Sequence, residues 1–273
     1  MRKVFYFVLI VVLGLLPATA SQLPQQSAAG QSSQKLRVLF IGNSYTYYNN
    51  LPRMLAGLAA SAKPARVLET DMLTVGGATL KHLWEGGQAQ QLLARGKWDY
   101  VVLQEQSTLG ASKMVGGVAQ INDPAEFHAA ARVYDAEIKK LGAKTLFYMT
   151  WARQNNPASQ TQLTEAYTKI GRELNASVAP VGLAWQAALK ARPDLALHVE
   201  DKSHPNPAGS YLAACVFYAV LYGQSPEGLA EGVTGALVDS SGKPGDTVGE
   251  LVKLSRADAA FLQKVAWETV RKR

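Results

Sequence analysis

From residue 36 onward, short apolar runs alternate with longer amphipathic stretches, and this alternation limits the folds open to the chain. The run 36–41, LRVLFI, is almost continuously apolar, which is typical of a strand buried on both faces of a sheet. Strands that alternate with helices build a parallel sheet covered by helices on both faces. We therefore predict an α/β fold: a three-layer α/β/α sandwich with a mainly five-stranded parallel sheet in a flavodoxin-like arrangement.

The same patterns predict where the strands and helices lie. Predicted strands cover residues 36–41, 67–73, 98–103, 143–150 and 176–181. Predicted helices cover residues 50–62, 124–141, 160–174, 183–191, 208–222 and 256–271. The glycine-rich segment 223–250 shows no clear period and is expected to be irregular.

Composition excludes several classes of protein. A chain of 273 residues, 48% hydrophobic and 18% charged, can bury a core of its own. The single cysteine, Cys215, excludes an intramolecular disulfide, and the four histidines lack zinc-like spacing, so we expect neither a metal nor a cofactor. The net charge is +7, but lysine and arginine are scattered rather than gathered in a stripe, so nucleic-acid binding is not predicted. The sequence does not indicate an oligomeric state.

The N-terminus has the three parts of a secretory signal peptide: a basic start at residues 2–3, an apolar stretch at 4–16, and small residues ending at Ala20. The apolar stretch is shorter than the roughly 20 residues that span a bilayer, so cleavage after Ala20 is favoured over a membrane anchor. Residues 21–34, rich in Gln, Ser, Ala and Gly, are expected to be a flexible lead-in to a single domain at 35–273. The mature protein is therefore expected in the periplasm or outside the cell, without stable insertion in a membrane.

A serine follows the first predicted strand, in the segment GNSYT at residues 42–46. In open parallel sheets, ligands bind just beyond the carboxyl ends of the strands. A serine on a tight turn between strand and helix has an exposed hydroxyl, and its amide lies near a helix N-terminus that favours negative charge. Ser44 is therefore a candidate nucleophile, although a serine in this position also commonly caps a helix.

Polar and glycine residues follow the next two strands. The segment QEQS at 104–107 places amide side chains where they can donate to an oxyanion, and the glycines at 76 and 77 offer free backbone N–H groups. The simpler interpretations, surface polar residues and turn glycines, stay open at this point.

A histidine and an aspartate lie three residues apart in the segment DKSHPNP at 201–207. A histidine that acts as a general base needs an accessible position and a carboxylate that fixes its tautomer. Asp201 and His204 meet that need in a turn before a helix, although such a pair also occurs by chance.

In their chain order, GNSYT, the glycine loop, QEQS and DKSHPN resemble the four sequence blocks of the SGNH hydrolases, a superfamily of esterases and lipases also called GDSL-like. The resemblance covers about residues 36–222. It implies Ser44 as nucleophile, His204 as general base and Asp201 as its orienting partner. It also implies oxyanion donors from the amides of Ser44 and Gly77, with Gly76 as second choice.

The third block departs from the family pattern. The usual motif is GxND, whose asparagine completes the oxyanion hole, and QEQS has no asparagine. The segment is closer to the QGE-type block of carbohydrate acetyl-esterases, which points to Gln104 as the amide donor and to Gln106 as second choice. The resemblance therefore implies a secreted serine esterase that removes short acyl groups, mainly acetyl, from glycans.

Three further residues are expected to line the substrate pocket because of their positions after strands: Asn43, Trp151 and Arg153. Two alternatives to a glycan esterase remain. One is a lipase, lysophospholipase or thioesterase acting on longer acyl chains. The other is a non-catalytic carbohydrate-binding protein on the same fold.

Overall fold

A parallel sheet forms the middle layer of the protein in a computed structural model, which describes residues 1–4 and 35–272. The strands are β1 Leu36–Gly42, β2 Leu68–Thr74, β3 Tyr100–Leu103, β4 Lys113–Val115, β5 Val118–Gln120, β6 Lys144–Tyr148, β7 Ser177–Ala179, β8 Gly232–Val238 and β9 Pro244–Lys253. The helices are α1 Ser44–Tyr47, α2 Leu51–Ser61, α3 Leu80–Glu85, α4 Gln88–Arg95, α5 Ala125–Lys140, α6 Gln160–Glu173, α7 Val181–Ala191, α8 Pro207–Tyr222 and α9 Arg256–Arg271. Short 3₁₀ turns lie at Tyr48–Asn50 and Pro157–Ser159.

The central sheet has five strands in the order β2-β1-β3-β6-β7, and all neighbours pair in parallel. This order, in which the chain begins inside the sheet, steps to one edge and then returns to cross to the other, is the flavodoxin-like arrangement. The predicted α/β fold is confirmed, and the five predicted strands are the five strands of the sheet. The carboxyl ends of β1, β3 and β6 lie side by side at one edge of the sheet, where ligands bind in such folds.

Two apolar cores lie on opposite faces of the sheet. Val38 and Phe40 of β1 pack into one core, while Leu39 and Ile41 pack into the other, because successive side chains of a strand point to opposite faces. Helix α8 is buried along almost its whole length in the first core. A strand buried on both faces reads as a continuous apolar run, which is why LRVLFI predicts β1.

The segment 223–250 differs from its prediction. Instead of an irregular stretch, it contains most of an antiparallel hairpin, β8–β9, that forms a sheet of its own. Glycine lowers the strand signal, but Gly235 is needed there: a Cβ at this position would lie 2.7 Å from Cγ of Arg53 on α2. Helices α3 and α4 and the small β4–β5 hairpin were also not predicted.

Residues 35–272 belong to one compact unit. The predicted leader and lead-in fall largely outside the described residues, so their boundaries stay predictions. In the parts that the structure describes, the helices are too short or too polar to cross a membrane.

Candidate active site

Ser44 lies at the carboxyl end of β1, as the first residue of α1. The helix is capped by the preceding residue, because Asn43 Oδ1 accepts a hydrogen bond from the amide of Tyr45 at 3.2 Å. Ser44 therefore does not serve as the cap. Its own amide makes no hydrogen bond to any residue that the structure describes.

Three of the predicted side chains meet at this turn. Nε2 of His204 lies 2.8 Å from Oγ of Ser44, although the residues are 160 positions apart in the chain. On the other side of the ring, Nδ1 of His204 lies 2.5 Å from Oδ2 of Asp201. With Nδ1–H donating to the carboxylate, Nε2 is left as the acceptor for the serine hydroxyl.

The Asp201 carboxylate is fixed by its own loop. Its Oδ1 accepts the amides of Ser203 at 2.8 Å and His204 at 2.9 Å. Partial burial raises the pKa of Asp201, but the hydrogen bonds from the His204 ring and the two amides outweigh it, and the net pKa is lowered. The carboxylate therefore stays ionised beside the imidazole at neutral pH.

Two tyrosines hold the His204 ring, and sequence reasoning missed both. The ring of Tyr48 stacks on the imidazole at 4.3 Å between centroids with an angle of 11° between planes. Tyr45 meets the ring edge-on at 5.6 Å. The run YTYY at residues 45–48, directly after the serine, was the available signal.

Trp151 is not in a substrate pocket, contrary to the prediction, because its side chain is 1% exposed. It lies in an aromatic stack between Tyr45, at 4.4 Å, and Trp185, at 4.0 Å. Its Nε1–H donates to the carbonyl oxygen of Ser203 at 3.0 Å, so the residue supports the Asp201–His204 loop from behind. Arg153 is half-buried at the edge of the site and donates from Nη2 to Oγ of Ser107 at 3.0 Å, so its pocket role stays a prediction.

The glycine loop after β2 is a tight turn closed by a hydrogen bond from the amide of Ala78 to the carbonyl of Val75 at 3.1 Å. Gly77 has a φ of +69°, which favours glycine. The amides of Gly76 and Gly77 make no hydrogen bond to a described residue. They are free to donate elsewhere, and the choice between them stays a prediction.

Asn43 is also buried rather than pocket-lining, at 2% exposure. Its Nδ2 donates to the carbonyl of Ala78 at 2.9 Å, which ties the glycine loop to the turn that carries Ser44. Asn43 is therefore a structural link between two strand ends, and the prediction that it lines the pocket is wrong.

Gln104 does not have a free amide for an oxyanion. Its side chain is fully buried, and its Nε2 donates to Oδ1 of Asn43 at 3.0 Å and to the carbonyl of Glu105 at 2.6 Å. Its Oε1 accepts the amide of Asn43 and the hydroxyl of Thr46, both at 2.9 Å. The structure thus contradicts the first choice of glutamine: Gln104 cross-links the first and third strand ends.

Gln106, the second choice, has the free side-chain N–H that Gln104 lacks. Its Oε1 accepts the amide and the hydroxyl of Thr108, both at 2.5 Å, and this orients the side chain. Its Nε2 makes no hydrogen bond to a described residue. Gln106 also occupies the third position of QEQS, the position of the asparagine in GxND, which was the signal in the sequence.

Glu105 is a buried carboxylic acid that sequence reasoning missed. It is 1% exposed, with Oε1 accepting the amide of Gln106 at 2.7 Å and Oε2 accepting the amide of Leu80 at 3.2 Å. Leu80 begins α3 directly after the glycine loop, so one carboxyl group links the second and third strand ends. Burial raises the pKa of Glu105 to about 7.

Within residues 1–4 and 35–272, no group of three or more His, Cys, Asp or Glu side chains is placed to hold a metal ion.

Solved structures with the same arrangement of strands and helices decide the fold family. A candidate SGNH hydrolase from Slackia heliotrinireducens matches with a TM-score of 0.55 and 27% identity over 68% of this chain and 99% of that one. This chain has the SGNH hydrolase fold.

Two other solved structures match this chain at lower identity. A DUF4886 family protein from Bacteroides uniformis matches with a TM-score of 0.64 and 15% identity, over 87% of this chain and 95% of that one. An acetylxylan esterase from Geobacillus stearothermophilus matches with a TM-score of 0.54 and 19% identity, over 67% and 92%. No family model and no curated protein matches the sequence.

Proposed function

We propose that the protein is a serine esterase that hydrolyses carboxylic esters through Ser44, His204 and Asp201. One observation carries the proposal: the hydroxyl, the imidazole and the carboxylate form an unbroken hydrogen-bonded chain at the carboxyl edge of the sheet. A serine hydroxyl becomes a nucleophile when an adjacent base takes its proton and a third group orients that base.

The reaction proceeds in two halves. Nε2 of His204 takes the Ser44 proton as Oγ attacks the ester carbonyl carbon, and the resulting imidazolium is stabilised by Asp201. The tetrahedral intermediate collapses, the bond to the alcohol oxygen breaks, and His204 returns the proton to that oxygen. Water then attacks the acyl-enzyme with His204 again as base, which releases the carboxylic acid and restores Ser44.

The oxyanion of the intermediate needs hydrogen-bond donors that are already in place. We assign this role to the amides of Ser44 and Gly77 and to Nε2 of Gln106. Their N–H groups make no hydrogen bonds to described residues. Asn43, Gln104 and Glu105 hold the three strand ends together and so fix the positions of the donors.

Short acyl groups on glycans are the substrates we propose. Solved structures with the same fold include acetylxylan esterases, and the third block resembles that of carbohydrate acetyl-esterases. We also propose that the protein is exported, because residues 1–20 have the pattern of a secretory leader.

Replacing Ser44 by alanine tests the assignment. We expect Ser44→Ala to lower kcat on p-nitrophenyl acetate by at least about 10⁴-fold, because no other group can form the acyl-enzyme. A fluorophosphonate probe should label the unmodified protein and not the variant. Ser112→Ala, at an exposed serine in a loop, is the matched control and should keep both activity and labelling.

Full activity in a folded Ser44→Ala variant would overturn the triad. A series of p-nitrophenyl esters from acetate to octanoate, together with acetylated xylooligosaccharides, tests the substrate class. We expect kcat/KM to fall as the acyl chain lengthens, and a rise would favour a lipase or thioesterase.

A further inference from the structure

The β8–β9 hairpin is fastened to the turn that carries Ser44. Nδ2 of Asn50, which caps α2, donates to the carbonyl of Ala236 in β8 at 2.8 Å. At the tip of the hairpin, a Cβ on Gly242 would lie 2.3 Å from the ring of Tyr47, so the backbone there rests directly on that ring. The hairpin therefore forms a wall beside the site.

A groove of about 410 Å³ separates the wall from the site. One side is lined by the tyrosines Tyr47 and Tyr48, and the other by Leu237, Asp239 and Glu250 of the hairpin. We call this the hairpin groove. Its volume is within the range of roughly 300–1,000 Å³ that small-molecule sites occupy.

The ring of Tyr48 connects the groove to the general base. Tyr48, which lines it, also stacks on the imidazole of His204 at 4.3 Å. The neighbouring Asn49 lines the groove and donates from Nδ2 to the carbonyl of Pro205 at 3.2 Å. A molecule in the groove therefore lies on the His204 side of the nucleophile.

The chemistry of the reaction says which half of an ester lies on that side. The alcohol oxygen receives its proton from His204 as the ester bond breaks, so it must face the imidazole. The carbonyl oxygen must face the donors on the opposite side, at the glycine loop and Gln106. The groove is thus placed for the alcohol half of the substrate and not for the acyl half.

The lining matches a sugar chain. Tyrosine rings and the 38%-exposed side chain of Leu237 offer apolar faces for the C–H faces of a sugar ring, while exposed carboxylates accept hydrogen bonds from hydroxyls. Asp239 accepts hydrogen bonds from the hydroxyl and amide of Ser241 and the amide of Lys243, which keep its pKa low. Among the described residues, those that line the groove include these two carboxylates and no basic side chain, so the groove disfavours an anionic ligand.

We propose that the hairpin groove binds the glycan on the alcohol side of the ester, and that this glycan is an uncharged polyhydroxylated saccharide. The inference rests on the proposed esterase function, which it deepens by naming the surface that selects the polymer. A chain carrying uronate or other carboxylate groups is disfavoured by Asp239 and Glu250.

The double variant Leu237→Ala/Glu250→Ala tests the groove, with Val248→Ala as the matched control. Val248 is 70% exposed on the same hairpin and does not line the groove. For each protein, kcat/KM is measured on p-nitrophenyl acetate, on acetylated xylotriose and on an acetylated oligogalacturonide. The readout is kcat/KM on acetylated xylotriose divided by kcat/KM on p-nitrophenyl acetate. We expect this ratio to fall at least tenfold in the double variant, mainly because KM for the xylotriose ester rises, and to stay constant in the control.

Comparing a neutral ester with a uronate ester tests the role of the two carboxylates in the groove. The unmodified protein should prefer the neutral ester over the uronate ester by at least tenfold, and Glu250→Ala should narrow that preference. An equal ratio of kcat/KM for the neutral and uronate esters in the unmodified protein and Glu250→Ala, or a preference of the unmodified protein for the uronate ester, would overturn the groove assignment.

A binding measurement separates failure of the groove from failure of the esterase proposal. Calorimetric titration of Ser44→Ala with unacetylated xylotriose needs no catalysis, and binding should be lost when Leu237→Ala/Glu250→Ala is added. If the unmodified protein hydrolyses no ester yet xylotriose binds through the groove, the esterase proposal fails and the saccharide site stands. If p-nitrophenyl acetate is hydrolysed and xylotriose binding does not depend on the groove residues, the groove proposal alone fails.

Discussion

His204 is held from four directions before any substrate arrives. Asp201 fixes one ring nitrogen and Ser44 contacts the other, while Tyr48 covers a face and Tyr45 touches an edge. An imidazole that is already oriented loses little freedom on reaching the transition state, and this preorganisation is a large part of catalytic power.

Replacing each glutamine of the third block separates their roles. We expect Gln106→Ala to lower kcat by on the order of 10²–10³-fold with little change in stability, as for loss of one oxyanion donor. Gln104→Ala should instead lower the free energy of unfolding by about 2–4 kcal/mol, because it leaves several buried polar groups of Asn43, Thr46 and Glu105 without partners. Urea denaturation and kinetics on p-nitrophenyl acetate measure both, and the reverse pattern would restore Gln104 as the donor.

Glu105 makes stability depend on pH. Its pKa is raised from 4.5 to about 7 in the folded protein, so the folded state binds more protons than the unfolded chain between these values. Its contribution to the free energy of unfolding is present below about pH 4.5 and is lost as pH rises through about 7. The stability of the unmodified protein relative to Glu105→Gln should therefore fall by about 2 kcal/mol from pH 5 to pH 8.

Urea denaturation of both proteins at the two pH values checks this expectation. Glu165→Gln, at an exposed carboxylate, is the control and should track the unmodified protein. A stability difference that does not change with pH would show that Glu105 titrates normally.

At the scale of elements, the loop that carries Asp201 and His204 is supported by the segment that follows β6. Trp151 Nε1 donates to the carbonyl of Ser203 at 3.0 Å, and the amide of Gln154 donates to the carbonyl of Lys202 at 2.8 Å. The position of the His204 ring therefore depends on the contact between these two loops.

Trp151→Phe keeps a ring in the aromatic stack but removes the indole N–H. We expect the free energy of unfolding to fall by about 1–3 kcal/mol, because the buried Ser203 carbonyl loses its partner, and kcat/KM to fall roughly 10- to 100-fold as His204 shifts. Trp98→Phe is the matched control. Nε1 of Trp98 donates to the carbonyl of Leu92 at 3.1 Å, and this hydrogen bond is remote from the active site. Stability measured in urea should fall in both variants, and activity in Trp151→Phe alone; equal loss of activity would contradict the support role.

Prediction from sequence succeeded for strands and helices whose burial follows a simple pattern along the chain. The inner strands β1, β3 and β6 are buried on both faces along most of their length, and the α5 and α6 helices show a regular apolar period, so local pattern was sufficient. The β8–β9 hairpin was missed because glycines break its pattern, and at least one of them, Gly235, is required by a contact with Arg53 of α2, which is distant in sequence. Likewise, the spacing of Asp201 and His204 predicted their pairing. The position of Gln106 within QEQS pointed to it, but composition alone favoured neither glutamine, and the hydrogen-bond partners of each amide separate the two.

At the scale of the whole molecule, the proposed export makes a prediction about the N-terminus of the mature protein. If the full chain is expressed in a bacterium that secretes proteins, the mature form should begin at Ser21, because the small residues before it fit a signal-peptidase site. N-terminal sequencing or the intact mass of protein from the periplasm or medium measures this. A protein that keeps Met1 and stays in the cytoplasm would contradict the export proposal.

The β8–β9 hairpin pairs only with itself and adds no strand to the central sheet. Its side chains and length can therefore diverge without shifting the register of β1, on which the nucleophile depends. Replacing this hairpin with that of a relative that acts on a different polymer is the simplest route to an enzyme with the same chemistry and a new substrate specificity.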